Sequence, residues 1–522
     1  MFLDKHQKIH LIGIGGIGVS AVAKLLKLTG RQVSGSDIGE SETIEELKAL
    51  GIKVYKGQAA KNIEDDIDLI VYTSAAPEDN PERVEGKKRG IKELSYFEFL
   101  GAYSKDKWTV AVSGTHGKST TTAMLGLMAA EAGLDPTVIV GSKVKNFQYG
   151  NLRIGDAKRP QSHAQRDGSD LFIVEACEHL ANMLHINPRM IVLTNIEADH
   201  LDYYKNLDNI MAAFRKYVQK LPADGKLIFN ADDENVCEII KSFNGEKLGF
   251  GLKKSPSPPF PKGEAIESTK IHSASSPFIK GRDREGFFEN TFLLAEEIRI
   301  DDGFQKYHFA GHDYILRVPG MYNAYNAFAA STAALALGVE PEVIKKTLEH
   351  FKGIWRRFEV IGEHDGALII SDYGHHPTAV RETIAGIRGF YPVRGHVSNG
   401  VSAGEISNGV YPGRRLVLAF QPHHRNRTKN LFNEFIECFD GLDVLVLTEI
   451  FDVAGREGDA DADISSKDLI EPIKARGKVG EVYFAATPKA AEEKLLQIIR
   501  SGDIIIVMGA GDIYKICNAL VK

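Results

Sequence analysis

Residues 108–122 read WTVAVSGTHGKSTTT, and this stretch decides how the rest of the chain is interpreted. An apolar run leads into a glycine turn, and Gly-Lys-Ser-Thr then opens a helical pattern. Lys118 can reach terminal phosphates, and the Ser119 hydroxyl can bind Mg²⁺. A helix N-terminus adds free N–H groups and the positive end of the helix dipole. The predicted ATP-binding residues of this loop are Gly114, Thr115, His116, Gly117, Lys118, Ser119 and Thr120.

The loop departs from the general phosphate-loop pattern at one position. That pattern requires a glycine five positions before the glycine of the Gly-Lys pair, and this chain has Val112 there. A glycine turn with no ligand is therefore the competing interpretation. It leaves unexplained why Gly-Lys-Ser-Thr stands between a buried strand and a helix, so we favour ATP binding.

A second glycine loop, LIGIGGIGVS, begins near residue 11. Gly13, Gly15 and Gly18 fit the G-x-G-x-x-G pattern between a strand and a helix, and Asp37 follows at the spacing of a ribose-binding acid. Glycines allow close approach of the backbone to a diphosphate. The motif predicts a nucleotide-diphosphate site, and by itself it makes NAD the first candidate.

Composition limits the function classes. The 522 residues carry a formal net charge of -6, which argues against nucleic acid as the main partner. The four cysteines are far apart and form no CxxC pair, so a disulfide framework or zinc cluster is not expected. No signal-peptide pattern or apolar run of about 20 residues is present. We expect a cytoplasmic protein with no membrane contact, present as a monomer or weak dimer.

Strand and helix patterns alternate along the whole chain, which predicts an α/β fold with parallel sheets. Strands are expected at KIHLIGI, RQVSGSD, DIDLIVYTSAA, WTVAVSG, DLFIVEA, MIVLTNI, ALIISDYG, RRLVLAF, DVLVLTEI and DIIIVMGAG. Charges near residue 107 and the start of a new pattern near 352 predict three domains, at 1–106, 107–352 and 353–522.

Three stretches interrupt this alternation. Residues 253–288 contain the Pro-rich and Gly-rich pair SPPFPKG and SPFIKG, and residues 393–413 contain VSNGV and ISNGV. A polar loop covers residues 157–170. We interpret all three as surface insertions, because such compositions bury little apolar area.

Carboxylates and imidazoles follow the strands beside the predicted ATP loop. Glu175 ends one apolar run, and Asn195 and His200 follow the next. Ligands in open α/β sheets collect outside the carboxyl ends of the strands, and carboxylates and imidazoles there are suitable metal ligands. Taken singly, each is more often a solvated loop residue, but together with the ATP loop they predict a Mg²⁺ site.

These blocks resemble the Mur ligases, the ATP-dependent ligases of peptidoglycan synthesis. GTHGKSTTTAM is similar to that family's shortened phosphate loop. Further similar blocks occur in family order at TNIEADHLDYY, PGMYNAYNAFAA, WRRFE, DYGHHPTAV and QPHHRNRT. The resemblance implies an N-terminal Rossmann-like UDP-binding domain, a central P-loop ATPase-type domain and a C-terminal Rossmann-like domain. The cofactors it implies are ATP and Mg²⁺.

Within the family, HLIGIGGIGVS, YTSAAPEDNPE and DYGHHPT most resemble members that join L-alanine to UDP-N-acetylmuramate through an acyl phosphate. A relative that attaches a recycled tripeptide is the alternative within the fold. An NAD-dependent oxidoreductase would leave the ATP loop and TNIEADH unexplained. A non-catalytic nucleotide switch would hydrolyse ATP slowly and form no amide.

The resemblance also implies a role for individual residues. Lys118, Glu175, His200, Arg357 and His375 would be catalytic, and Ser119, Glu175 and His200 would bind Mg²⁺. Further nucleotide contacts would come from Asn195, Asn323, Asn326, Arg357 and Asp372. The UDP-sugar would be bound by Gly15, Gly16, Ile17, Gly18, Asp37 and Ser74, and the amino acid by Tyr373, His375 and Arg427.

The chain departs from the family pattern at Tyr322, where histidine is common, and at Cys177, where an acid is common. Other interpretations of the charged blocks remain open at this point. Arg356 and Arg357 could be ordinary surface charge. If His375 and His376 lie on a strand, they point to opposite faces and at most one can reach the site.

Overall fold

The computed structural model describes residues 2–155, 170–252, 291–296, 298–301, 304–391, 414–451 and 464–521. The insertions expected at 253–288 and 393–413 lie outside these residues, as does all but the last residue of the polar loop at 157–170. The chain forms two compact units. The first consists of Met1–Ile298, Tyr307–Ile315 and Tyr325–His350, and the second of Arg299–Lys306, Leu316–Ala324 and Phe351–Lys522.

The N-terminal part of the first unit is a parallel five-stranded sheet. Its strands are β1 (Lys8–Ile12), β2 (Gln32–Asp37), β3 (Lys53–Lys56), β4 (Leu69–Tyr72) and β5 (Lys92–Ser95), in the order β3-β2-β1-β4-β5. Its helices are α1 (Ile17–Leu28), α2 (Glu42–Ala49), α3 (Pro81–Lys88) and α4 (Tyr96–Ser104). The strand order reverses between β1 and β4, and ligands of open α/β sheets bind at such a point.

A second sheet of the first unit has eight strands. They are β6 (Trp108–Ser113), β7 (Thr137–Ile139), β8 (Leu152–Arg153), β9 (Leu171–Glu175), β10 (Met190–Leu193), β11 (Lys226–Asn230), β12 (Glu246–Leu252) and β13 (Thr291–Ala295). The order is β13-β12-β11-β10-β6-β9-β7-β8, and only β8 is antiparallel to its neighbour. The associated helices are α5 (Lys118–Glu131), α6 (Leu201–Tyr204), α7 (Leu207–Val218) and α8 (Glu234–Ile240).

The position of β6 decides the geometry of the ATP loop. This strand is hydrogen-bonded to β9 on one side and to β10 on the other, and the three run parallel. Residues that follow β6, β9 and β10 therefore meet at one edge of the sheet.

Elements between the two large parts of the chain belong partly to each unit. β14 (Arg299–Asp301), β15 (Phe304–Phe309) and β16 (His312–Leu316) form a small sheet with β15 in the middle. They are followed by α9 (Met321–Ala336) and α10 (Pro341–His350). The boundary between the units passes through β15, β16 and α9.

The second unit contains a six-stranded sheet. Its strands are β17 (Glu359–His364), β18 (Ala367–Asp372), β19 (Leu416–Phe420), β20 (Val444–Thr448), β21 (Glu481–Ala485) and β22 (Ile504–Met508), in the order β17-β18-β22-β19-β20-β21. All pairs are parallel except β17 with β18. The helices are α11 (Pro377–Phe390), α12 (Arg425–Asn430), α13 (Phe432–Glu437), α14 (Lys467–Arg476), α15 (Pro488–Ile498) and α16 (Cys517–Leu520).

The expected α/β fold and the ten expected strands are confirmed. The central strands are almost wholly apolar, as in LVLAF and IIIVM, because helices cover both faces of a parallel sheet. The domain boundary expected near residue 107 falls inside the first compact unit and stays a prediction. No helix of the described residues is long and apolar enough to cross a membrane.

A buried ion pair connects two strands of the second unit. Arg415 precedes β19 and Asp503 precedes β22, and two parallel N–H···O bonds of 3.0 and 2.6 Å join their side chains. Both side chains are less than one-tenth exposed. Removal of one partner would leave an uncompensated charge in the interior.

We expect Asp503→Ala to lower the free energy of unfolding of the second unit by about 3–5 kcal/mol, because Arg415 would keep its buried charge. The chain has two tryptophans, Trp108 in the first unit and Trp355 in the second. Urea unfolding followed by fluorescence in a Trp108→Phe background therefore reports on the second unit. The control Glu471→Ala removes an exposed partner of Lys474 and should cost less than about 1 kcal/mol. If both variants lost the same free energy of unfolding, the stabilising role of the buried ion pair would be contradicted.

Candidate functional site

The N-terminal glycine loop joins β1 to α1 and is held by β2. The backbone N–H groups of Gly13 and Ile14 both donate to the Ser36 carbonyl, at 2.9 and 3.0 Å. Asp37 Oδ2 accepts a hydrogen bond of 2.9 Å from the N–H of Gly15, and Oδ1 accepts one of 3.1 Å from Gly39. The carboxylate expected at the ribose therefore binds the loop itself.

Gly18 is a glycine because an aromatic ring approaches it. A Cβ at this position would lie 2.7–3.0 Å from the Tyr96 ring, on the first residue of α4. Gly16 is the exposed N-cap of α1, and Ile17 opens the helix. Ser74 is exposed in the turn after β4. These residues follow β1 and β4, so they lie at one edge of the N-terminal sheet.

The ATP loop at 114–117 joins β6 to α5, and Asn195 holds its backbone. Asn195 Oδ1 accepts a hydrogen bond of 2.8 Å from His116 N, and Nδ2 donates one of 3.1 Å to His116 O. The Asn195 carbonyl also accepts from Thr115 N, at 2.9 Å. The side chain expected to touch phosphates thus binds the loop in this structure.

Both glycines of the ATP loop are required by their backbone and surroundings. Gly114 and Gly117 have φ of +134° and +85°, which side chains rarely adopt. A Cβ on Gly117 would overlap Asn326 Oδ1, which also accepts a hydrogen bond of 3.4 Å from the Thr121 hydroxyl. Asn326 therefore lies against the loop and the first turn of α5, and the predicted residue Thr120 is buried in that same turn.

Lys118, the first residue of α5, is enclosed and paired with Glu178. Its ammonium donates to the carbonyls of Gly114 and Thr115, at 2.7 and 3.0 Å, and lies 2.8 Å from Glu178 Oε2. His200 Nε2 is 3.6 Å from the other Glu178 oxygen. Burial alone would lower the pKa of Lys118, but the charge of Glu178 holds it above its ordinary value, so the lysine stays protonated.

Glu178 is the centre of this arrangement. Burial alone would raise the pKa of its carboxyl, but the Lys118 ammonium and the hydrogen bond with His200 hold it below the ordinary value. The hydroxyl of Tyr204 donates to its backbone carbonyl. A buried carboxylate therefore neutralises the lysine of the ATP loop.

Glu175 ends β9 and presents oxygen to the same region. Its Oε2 accepts a hydrogen bond of 3.1 Å from the Ser119 hydroxyl, and Oε1 accepts one of 2.6 Å from the N–H of Gly141. A carboxylate and a hydroxyl are hard oxygen ligands of the kind Mg²⁺ prefers. The structure thus brings together the two oxygen donors of the predicted metal site.

Cys177 lies between the two glutamates in sequence. Burial, with a smaller contribution from Glu178, raises the pKa of its thiol to about 12. The group is therefore neutral at physiological pH, and it adds no charge between the two glutamates.

A second cluster forms in the second unit, after β18. Asp372 is buried, and its two oxygens accept backbone hydrogen bonds of 2.8 Å from Phe358 and 2.6 Å from Gly374. Burial raises the pKa of Asp372, against the opposing effects of Arg357 and these N–H donors. The carboxylate joins the WRRFE block to the DYGHH block.

Two guanidinium groups lie against the ring of Tyr373. Arg356 and Arg357 are each 4.9 Å from its centroid. Arg356 is only 5% exposed, lies 4.1 Å from the ring of Tyr514 and donates to the carbonyl of Gly511 at 3.1 Å. The interpretation of Arg356 as surface charge is therefore wrong.

The histidine pair of DYGHH is not on a strand, so the expectation of opposite faces is wrong. β18 ends at Asp372, and His376 caps the N-terminus of α11. His375 Nδ1 lies 3.1 Å from the Tyr373 carbonyl, and the His375 ring is 5.7 Å from that of His423. Arg427 donates to the His423 carbonyl at 3.5 Å, which places the three predicted amino-acid-binding side chains in one region of the unit.

Asn323, at the start of α9, donates its amide to the Pro319 carbonyl at 2.7 Å. Glu178 and Arg356 received no role from the sequence. Arg356 stands next to the predicted Arg357, and Glu178 lies three residues after the predicted Glu175, but only their burial and partners distinguish them.

Family models match most of the chain. The Mur ligase family catalytic domain matches residues 8–108, the Mur ligase middle domain 112–334, and the Mur ligase glutamate ligase domain 356–511.

Curated relatives match over the full length. The UDP-N-acetylmuramate–L-alanine ligase of Clostridium kluyveri is 36% identical over 515 residues, covering 98% of this chain and 97% of that protein. That of Trichlorobacter lovleyi is 35% identical over 523 residues, covering 99% and 98%. The crystal structure of the UDP-N-acetylmuramate–alanine ligase of Thermotoga maritima superposes with a TM-score of 0.71 at 25% identity, covering 99% and 98%. It supports the three-domain arrangement of the expected fold.

We expect Glu178→Gln to destabilise the first unit, because the Lys118 ammonium, whose side chain is only 15% exposed, loses its counter-charge. Breaking a buried pair in this way costs about 3 kcal/mol. A bound anion can replace the carboxylate, so ADP in the presence of EDTA should raise the melting temperature of the variant more than that of the wild type. Scanning calorimetry with and without ADP measures both effects.

The control is Glu238→Gln, which removes an exposed partner of Lys241 on α8. Its melting temperature and ADP response should match the wild type. An ADP-induced shift no larger in Glu178→Gln than in the wild type would contradict the proposed competition for Lys118.

Proposed function

The chain belongs to the Mur ligase family, and from that premise we propose that it is an ATP-dependent ligase. It would join L-alanine to the lactyl carboxylate of UDP-N-acetylmuramate in peptidoglycan precursor synthesis. The full-length relatives, which are named UDP-N-acetylmuramate–L-alanine ligases, support this proposal. One observation carries the proposal. A single compact unit contains two glycine loops, each of which opens a helix after a parallel strand of a different sheet. One suits the UDP diphosphate and the other suits ATP. The need for ATP supports a cytoplasmic location.

A carboxylate reacts with an amine only after activation, because its oxygen is a poor leaving group. Phosphoryl transfer from ATP to the lactyl carboxylate gives an acyl phosphate, and attack by the alanine amine then releases phosphate and forms the amide. Catalysis of phosphoryl transfer is mainly positioning and charge stabilisation. Lys118, fixed at the start of α5 and protonated, would stabilise the charge on the terminal phosphates.

The oxygen donors beside the ATP loop are of the type that Mg²⁺ prefers. The Ser119 hydroxyl and a Glu175 oxygen are 3.1 Å apart beside the ATP loop. When bound, Mg²⁺ would neutralise charge on the phosphate oxygens. We propose Ser119, Glu175 and His200 as its protein ligands, and Glu178 as the group that keeps His200 and Lys118 in place.

We assign recognition of the amino acid to the second unit. Tyr373, His375 and Arg427 lie close together there, and Arg427 supplies a fixed positive charge for the alanine carboxylate. Asp372 would act on this pocket through Phe358 and Gly374, whose N–H groups it binds. Arg357 and Asn323 are proposed as nucleotide contacts.

The proposal is tested by phosphate release from ATP with each substrate omitted in turn. We expect release to require UDP-N-acetylmuramate, and amide formation to require L-alanine as well. Glycine, L-serine and the tripeptide L-Ala-D-Glu-diaminopimelate, compared as amines in the same assay, measure the amino-acid preference. Phosphate release that ignored the sugar nucleotide, or turnover with the tripeptide alone, would contradict the proposal.

A second prediction concerns the two loops. Lys118→Ala should lower kcat for amide formation at least about 100-fold, because a charge-stabilising donor is lost. The affinity for UDP-N-acetylmuramate, measured by calorimetric titration, should change less than about twofold, since the glycine loop lies on another sheet. If Lys118→Ala lowered both kcat and the affinity for UDP-N-acetylmuramate, the assignment of the two nucleotides to separate loops would be wrong.

A further inference from the structure

The proposed reaction places a requirement on the first unit. The sugar nucleotide is assigned to the loop before α1, on the five-stranded sheet, and ATP to the loop before α5, on the eight-stranded sheet. The lactyl carboxylate must still arrive at the terminal phosphate in reacting geometry. A displacement of about 1 Å can cost roughly 100-fold in rate. Some contact between the two sheets must therefore fix this separation.

A buried lysine on α1 forms such a contact. The Lys24 side chain is 3% exposed. Its ammonium donates to Glu46 Oε2 on α2 at 2.8 Å, to the Tyr149 carbonyl at 3.0 Å and to Asn151 Oδ1 at 3.2 Å. An ammonium has three hydrogens, so each has an acceptor. Two of the three acceptors belong to the segment between β7 and β8 of the other sheet.

Asn151, just before β8, completes the contact. Its side-chain amide donates to the Ile17 carbonyl and to the Ser20 hydroxyl, the latter at 3.0 Å. Ile17 is the first residue of α1, directly after the glycine loop. The oxygen of this buried amide accepts from Lys24, and both of its N–H groups donate. These three bonds fix the orientation of the amide.

The same segment reaches the predicted metal site. The Asn151 carbonyl accepts a hydrogen bond of 3.1 Å from Val140, and the next N–H, that of Gly141, donates to Glu175. A Cβ on Gly141 would lie 3.0 Å from Glu175 Oε2, so a larger residue here would press on this carboxylate. A short run of covalent and hydrogen bonds thus connects the start of α1 to the carboxylate beside Ser119.

A second lysine strengthens the junction. Lys143 donates to Glu42 Oε2 at 3.0 Å and to Glu46 Oε1 at 2.8 Å, both on α2. Glu46 therefore lies between two ammonium groups, Lys24 and Lys143. Partial burial would raise the pKa of Glu46, but these two charges hold it below the ordinary value, so the carboxylate remains ionised.

We propose that Lys24 and Asn151 are positioning residues for phosphoryl transfer. They set the place of α1, and with it the bound sugar nucleotide, relative to Glu175 and the ATP loop. This inference rests on the proposed ligase function. A merely structural junction would change stability and leave the turnover of folded enzyme unaltered.

The test compares Lys24→Met and Asn151→Asp with the wild type. Lys24→Met keeps the side-chain length without the charge, and Asn151→Asp keeps the acceptor for Lys24 while losing the two donated bonds. We expect kcat per folded molecule to fall about 10- to 100-fold, with the affinities for UDP-N-acetylmuramate and ADP within about threefold of wild type. Trapping of the acyl phosphate by hydroxylamine without alanine should fall equally, which locates the defect before amine attack.

The matched control is Lys27→Met on the same helix, whose ammonium donates to the Gly51 carbonyl outside the junction. Its kcat should equal that of wild type, and Lys24→Arg should recover part of the activity. An unchanged kcat in both test variants, or a loss of UDP-sugar affinity in parallel with kcat, would overturn the proposal. If Lys24→Met does not fold, the Asn151→Asp result decides. Failure of the proposed function is distinguishable, because the wild type itself would then form no amide.

Discussion

The enclosed positive charge of Lys118 is the constraint on which the ATP loop depends. A charge removed from water costs several kcal/mol unless it is paired and hydrogen-bonded. Two loop carbonyls and the Glu178 carboxylate meet that need. The loop therefore holds its shape and its charge balance from protein groups alone. In the proposed reaction the ATP phosphates would compete with Glu178 for the lysine, and His200 Nε2 lies 3.6 Å from that carboxylate.

In each of the predicted sites, polar side chains bind the protein's own backbone. Asn195 uses both side-chain atoms on His116, and Asp372 uses both oxygens on Phe358 and Gly374. Asp37 does the same for Gly15 and Gly39. Such residues can decide the shape of a site without touching a ligand. A role in holding the backbone is therefore sufficient to explain why these three residues occur in their motifs.

The sequence predicted those features that depend on local pattern and on sheet geometry. Apolar runs located the strands, and the common edge of parallel strands placed Glu175 and Asn195 beside the ATP loop. The roles of Glu178 and Arg356 were not predictable, because their burial depends on residues far away in the chain. Lys24 and Asn151 are 127 residues apart, and nothing in either local sequence indicates their contact. The interpretation of His375 and His376 as strand residues was wrong for a related reason, because β18 ends at Asp372, four residues before His376.

The structure explains why the phosphate loop has valine at position 112, where the general pattern has glycine. Val112 lies within β6, wholly buried, and pairs with Val192 on one side and Glu175 on the other. Its carbonyl accepts a hydrogen bond of 2.8 Å from Ala176. A glycine at position 112 would weaken a central strand of the sheet. It would not make the loop backbone more flexible, since the loop begins only at Gly114. The extended strand shortens the phosphate loop, and the positive φ values of Gly114 and Gly117 provide the turn that remains.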